Sequence, residues 1–159
     1  MATFLVRHGE YYENPLSGDG PQLPIGREKI RSTGEQLTEK GLARNTIILC
    51  SRSQRTSEAG YLLAQILQAD MILSDILFER GLNPGEIESP TRFIEAIYQE
   101  SSVDIAGYNN TVIVTHGPLI DSLINHIDSK NPVVNIAAGT FHELIIPPPG
   151  VGQVESNNK

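Results

Sequence analysis

Thr3-Phe4-Leu5-Val6-Arg7-His8-Gly9-Glu10 decides how the rest of the chain is read. Four β-prone residues end abruptly in a cation, an imidazole and a glycine, which reads as a short strand running into a loop. In an open α/β sheet, ligands bind beyond the carboxyl ends of the strands. Arg7 offers a planar fork of donors suited to phosphate. A neutral His8 is able to act as a nucleophile, and Gly9 lets the backbone pass close to a ligand. Alone the triplet decides little, because Arg-His-Gly also occurs in ordinary surface loops. What the other strands deliver decides it.

Two further apolar runs repeat the device. Thr46-Ile47-Ile48-Leu49-Cys50 and Thr111-Val112-Ile113-Val114-Thr115 are continuous enough to be strands buried on both faces. The first runs into Ser51-Arg52-Ser53-Gln54-Arg55, the second into His116-Gly117-Pro118. Helices are predicted after each strand. Ile30, Leu37 and Leu42 mark one over 26–42, with Gly41 as its C-cap and Gly34 at a close packing contact. Ala59, Leu62, Leu63, Ile66 and Leu67 mark the second. Pro118 starts a third, whose stripe is Leu119, Ile120, Leu123, Ile124 and Ile127. Residues 10–24 read as loop, Met71-Ile72-Leu73 as a short strand, and 91–99 as a helix. Stretches 132–136 and 141–146 read as edge strands. This alternation predicts an α/β domain: a three-layer α/β/α sandwich with a mostly parallel central sheet. One domain over 1–146 is expected, with 147–159 as a flexible tail that has nothing to bury.

Composition narrows the function. A net charge of −7 argues against a nucleic-acid surface, which wants a basic face. It also means that an anion site must rest on a few placed arginines. No apolar run approaches a membrane span and no secretory leader precedes the first strand, so a cytoplasmic protein is expected. The one cysteine, Cys50, excludes an internal disulfide and a Cys-rich zinc site and reads as inert core. His126 and His142 fall in no metal-ligand spacing. In a parallel sheet, Arg7, His8, Arg55 and His116 all reach one edge, where two cations and two imidazoles make a pocket for a doubly charged tetrahedral anion. Phosphate is the expected ligand, and Arg52 is expected to extend the positive rim.

These blocks resemble the histidine phosphatase superfamily, also called phosphoglycerate-mutase-like. The resemblance spans 3–146. Leu5-Val6-Arg7-His8-Gly9-Glu10 matches its signature, and Asn14 falls where many members carry Asn. Leu23, Gly26, Arg27, Ile30, Gly34 and Leu37 resemble its first helix. Ile47 to Cys50 with Ser51 and Arg55 resemble its second strand and phosphate-binding arginine. Val112-Ile113-Val114-Thr115-His116-Gly117 matches the block with its second histidine.

The resemblance implies phosphoryl transfer through a phosphohistidine at His8. Arg7, Arg55 and His116 would bind the non-bridging oxygens, Asn14 would add a neutral donor, and no metal or other cofactor is implied. Glu79 resembles the family's proton donor, with Glu86 and Glu88 as substitutes. Pro24 stands where Thr is frequent, and Gly81-Leu82-Asn83-Pro84-Gly85 departs from the mutase pattern. The chain is short beside members with a lid, which points to an open site and the SixA-type phosphohistidine phosphatase branch. The implied partner is a phosphorylated protein, with a histidine phosphotransfer domain in signal transduction as one candidate. A small sugar or nucleotide phosphate, or a phosphate-binding module without turnover, are the alternatives.

Overall fold

Each predicted strand that carries site residues forms, because its apolar run has helices to pack against on both faces. The structure, a computed structural model, describes residues 2–75, 77, 96, 99, 107–127 and 135–144. In chain order these contain β1 (Ala2–Arg7), α1 (Pro24–Glu39), β2 (Thr46–Ser51), α2 (Gln54–Leu67), β3 (Asp70–Ser74), β4 (Asn110–Thr115), α3 (Gly117–Ile127) and β5 (Phe141–Leu144). The sheet order is β3-β2-β4-β1-β5. The first four strands are parallel, and β5 lies antiparallel on β1 as an edge.

Alternation along the strands makes the three layers. Leu5, Ile47, Leu49 and Ile113 are buried with Leu119, Ile120, Leu123 and Ile124 of α3. Their neighbours Phe4, Val6, Ile48, Cys50, Val112 and Val114 are buried with Ile30 and Leu37 of α1 and Ala59, Leu63 and Leu67 of α2. A fully buried side chain of this size contributes roughly 1.5–3 kcal/mol, so both faces of β1, β2 and β4 are anchored. Register then sets their ends level. Arg7 lies opposite Thr115, Cys50 opposite Val114 and Ser51 opposite Ser74. The residues that follow β1, β2 and β4 therefore emerge along one edge.

Helix ends follow local chemistry. Helix α1 begins at Pro24, two residues before the start predicted at Gly26, because proline needs no N–H in the first turn. Its N-cap is Leu23, which supplies no side-chain cap. It ends in a Schellman turn, with Leu42 N–H donating to Leu37 and Gly41 N–H to Thr38. Gly41, at φ +92°, supplies the left-handed residue. Gly34 does sit at the contact between α1 and α2: a Cβ there would come within 2.8 Å of Ile66 Cδ1.

A second backbone crossing shapes the site. A Cβ on Gly9 would lie 2.4 Å from Gly26 O, and one on Gly26 would lie 2.3 Å from Glu10 O. The loop after β1 thus rides directly on the first turn of α1.

Two expectations change. Asn135 has φ +58°, and neither it nor Ile136 is in a strand, so the edge strand expected over 132–136 is not seen there. The strand expected over 141–146 is described only for Phe141–Leu144. Most of the helix expected over 91–99, the end of the domain at 146 and the tail lie outside the described residues. Among the described residues, no helix is long and apolar enough to cross a membrane.

Candidate active site

His8 follows β1 directly and is 5% exposed; His116 follows β4 and is 1% exposed. Their rings lie 5.5 Å apart, centroid to centroid. The His8 Nδ1–H donates to the Gly9 carbonyl at 2.8 Å. A carbonyl only accepts, so the proton of the neutral ring sits on Nδ1 and Nε2 keeps its lone pair. Burial lowers the His8 pKa to about 4, outweighing the Gly9 hydrogen bond that raises it, and the charges of Arg55 and Arg7 add to the lowering. At neutral pH His8 is an uncharged, oriented base with a bare Nε2.

His116 has the opposite tautomer. Arg55 Nη2 donates to His116 Nδ1 at 3.3 Å, and a guanidinium only donates, so the ring proton lies on Nε2. From there it reaches Ser51 Oγ at 3.1 Å. Burial, then Arg55, lower its pKa to about 3.

Arg55 is the second residue of α2, where a cation opposes the helix dipole. Asp19 offsets this. Its carboxylate accepts the N–H groups of Gln54 at 2.8 Å and Arg55 at 3.4 Å, and pairs with Arg55 Nη1 at 3.0 Å. Gly18 O also accepts from Arg55 Nη1 at 3.3 Å. Below the guanidinium, the Tyr11 ring lies 4.6 Å from Arg55 Cζ and edge-on to His8 at 5.2 Å. Burial works to raise the Asp19 carboxyl, but the backbone donors and Arg55 outweigh it and hold it low. Glu10 is also held low, because Lys29 outweighs the effect of burial.

Arg7 ends β1 and is gripped from the far side. Its Nη1 donates to Ile136 O at 2.5 Å, and Asp121 of α3 accepts the Asn135 and Ile136 N–H groups at 2.7 and 3.2 Å. Gly117, first residue of α3, packs flat on the guanidinium: a Cβ there would lie 3.2 Å from Arg7 Cζ. Arg7 Nε is buried and has no hydrogen-bond partner among the described residues. It is a donor of the kind a phosphoryl oxygen satisfies.

Arg7, His8, Arg55 and His116 thus come together around one point. Asn14 is exposed in the loop after β1, and its Oδ1 accepts the Leu16 N–H at 2.9 Å. Glu79, Glu86 and Glu88 lie outside the described residues. Arg52 pairs with Asp75 at 2.6 Å, so its charge is offset and it does not extend the positive rim as expected. Cys50 is buried, its thiol pushed up to about 12 by burial, in keeping with inert core. His126 is exposed, and His142 lies in β5. Asp19 and Tyr11 were not legible as site residues. Asp19 reaches its partner across 36 positions, and only its place in a Gly-rich loop hinted at a role.

The sequence matches no family model and no curated protein. Solved structures do match. The protein histidine phosphatase SixA complexed with tungstate aligns with TM-score 0.65 at 17% identity, covering 91% of this chain and 95% of that one. Phosphoglycerate mutase from Bacillus anthracis aligns with TM-score 0.65 at 18% identity, over 89% and 86%. The chain has the phosphoglycerate-mutase-like fold. A third neighbour with this fold, a mycobacterial glucosyl-3-phosphoglycerate phosphatase complexed with VO3, aligns with TM-score 0.62 at 16% identity over 91% and 90%. In the phosphoglycerate-mutase-like sheet of this chain, the four residues stand where β1, β2 and β4 end.

The buried imidazoles also set acid stability. Unfolded, each histidine takes up its proton near 6.5; folded, His8 does so near 4 and His116 near 3. Between those limits the unfolded chain binds more protons, so stability rises with pH through the window and falls on acidification. At about 1.4 kcal/mol per unit, His8 alone is expected to cost on the order of 3 kcal/mol between pH 7 and pH 4. Urea unfolding at fixed pH values checks this, and a midpoint that stays flat from pH 6.5 to 4 contradicts it.

Proposed function

We propose that the protein is a phosphatase that works through phosphorylated His8, with phosphohistidine on a protein as its substrate. One observation carries the proposal: a buried, neutral imidazole with Nδ1 tied to Gly9 O and Nε2 bare, beside two arginines. In the first half-reaction the His8 Nε2 lone pair forms a bond to phosphorus. The bond from phosphorus to the substrate nitrogen breaks, and that nitrogen keeps the electron pair and takes a proton from solvent. In the second, water attacks phosphorus, loses a proton to solvent, and the P–N bond to His8 breaks. Arg7, Arg55 and His116 bind the non-bridging oxygens, with Asn14 at the rim, and offset the charge that develops there.

Among the described residues, the state of the carboxylates near the site favours phosphohistidine over an alkyl phosphate. An alkoxide leaving group needs a proton from an acid still protonated at the working pH. Asp19 and Glu10 are both held ionised by their partners, so neither serves as that acid. An imidazole leaves more easily and asks less of one. Glu79 is the proposed donor for any ester that is turned over.

A side-by-side assay of a phosphohistidine phosphotransfer domain, a phosphoserine peptide and sugar phosphates tests the substrate. The phosphohistidine protein is expected to have the highest kcat/KM. Glu79→Gln is expected to slow the esters by roughly 10²-fold or more and the phosphohistidine protein far less. A sugar phosphate that outruns the phosphoprotein would make this a small-molecule phosphatase. Phosphoprotein binding without turnover of any substrate would make it a binding module.

A further inference from the structure

Gln22 lies in the loop before α1 and is 2% exposed. Its Oε1 accepts the Gly9 N–H at 2.6 Å. Since a backbone N–H only donates, the amide's orientation is decided by that bond. Its Nε2 is buried with no hydrogen-bond partner among the described residues. Burying an unpaired NH₂ is unfavourable, so an apolar side chain would suit this position better on packing grounds alone. The amide's one satisfied atom is the one that touches Gly9.

Gly9 is also the residue whose carbonyl accepts the His8 Nδ1–H, at 2.8 Å. It has no side chain to hold it, and its backbone orientation decides where that carbonyl points. Gln22 itself is pinned. Its N–H donates to Glu58 Oε2 of α2 at 2.8 Å, it bridges to Tyr11, and the next residue, Leu23, donates to Glu10 O at 2.8 Å. A continuous chain of bonds thus runs from α2 through Gln22 and Gly9 to the His8 ring.

We infer that Gln22 is a positioning residue for His8. It holds Gly9 so that the Gly9 carbonyl keeps the ring proton on Nδ1 and leaves Nε2 bare and aimed. The inference rests on the reading of His8 as nucleophile for its functional consequence, but its structural content stands apart from turnover.

The test compares the full chain with Gln22→Met, which keeps the length and loses the acceptor, and Gln22→Glu, which keeps an acceptor oxygen. Nitrogen-15 NMR of the histidine rings at neutral pH reads the tautomer directly. The parent His8 is expected to be a single Nδ1–H tautomer, Gln22→Met a mixture, and Gln22→Glu largely restored. In steady-state kinetics Gln22→Met is expected to lose roughly 10- to 100-fold in kcat with KM little changed, because Arg7 and Arg55 are untouched. A parent ring already mixed between tautomers overturns the inference without any variant. A Gln22→Met ring that remains wholly Nδ1–H overturns it too. Loss of kcat in Gln22→Met with an unmixed ring leaves Gln22 a merely structural residue and overturns it as well. If His8 proves not to be the nucleophile, the tautomer shift still decides whether Gln22 orients the ring.

Discussion

His8→Ala is expected to lower kcat by roughly 10⁴-fold or more, as removal of a nucleophile does in hydrolases that use one. Inorganic phosphate should still bind within about tenfold of the parent, since binding energy resides in Arg7 and Arg55 as charge-assisted donors. The fold should survive, because His8 belongs to neither of the two apolar clusters that hold the sheet to its helices. Steady-state kinetics with the best substrate, and calorimetric titration with phosphate, separate the two quantities. Equal losses in both would mean that His8 binds the anion without attacking it.

Arg55→Ala is expected to produce the second largest loss, roughly 10³- to 10⁵-fold in kcat/KM, the range for an arginine that offsets charge on a transferring phosphoryl group. Its guanidinium contacts Asp19, Gly18, His116 and the Tyr11 ring, among others. Arg55→Lys should recover little, because one ammonium cannot replace a planar fork. Stability should also fall, by about 1–3 kcal/mol, since Asp19 loses its cation while its backbone donors remain. With Arg55 gone, one of the charges that lower the His8 pKa is absent. The acid limb of the pH–rate profile should then move toward higher pH. A variant with parent-like kcat/KM would remove Arg55 from the site.

The strands were legible because β1, β2 and β4 are uninterrupted apolar runs that pack on both faces. Each ends in a residue too polar to continue the core: Arg7, Ser51 and Thr115 before His116. That termination is what places Arg7, His8, Arg55 and His116 at one edge of the sheet. Gly41 was legible as a helix stop because it supplies a left-handed residue, though the helix itself ends at Glu39 with Lys40 as its C-cap, short of the end expected at Leu42. What was not legible depends on distant partners. Asp19 reads locally as an acid in a loop, yet it caps α2 and pairs with Arg55 across 36 positions. Gln22 reads as a polar residue before a helix, and only the crossing of Gly9 over Gly26 shows what it touches. Arg52 carried the right charge beside Arg55, but Asp75 beyond β3 takes it. The tautomers of His8 and His116 depend on partners in three dimensions, and no pattern in the chain encodes them.

The central claim is a covalent phosphoryl group on His8. Rapid mixing of the protein with a phosphohistidine protein, quenching in alkali to preserve the P–N bond, and mass-spectrometric mapping of the phosphorylated residue test it most directly. The account predicts phosphate on His8 within one turnover, decaying at the rate of product release and absent from His8→Ala. Phosphate found on another residue, or full turnover with none on His8, would contradict it.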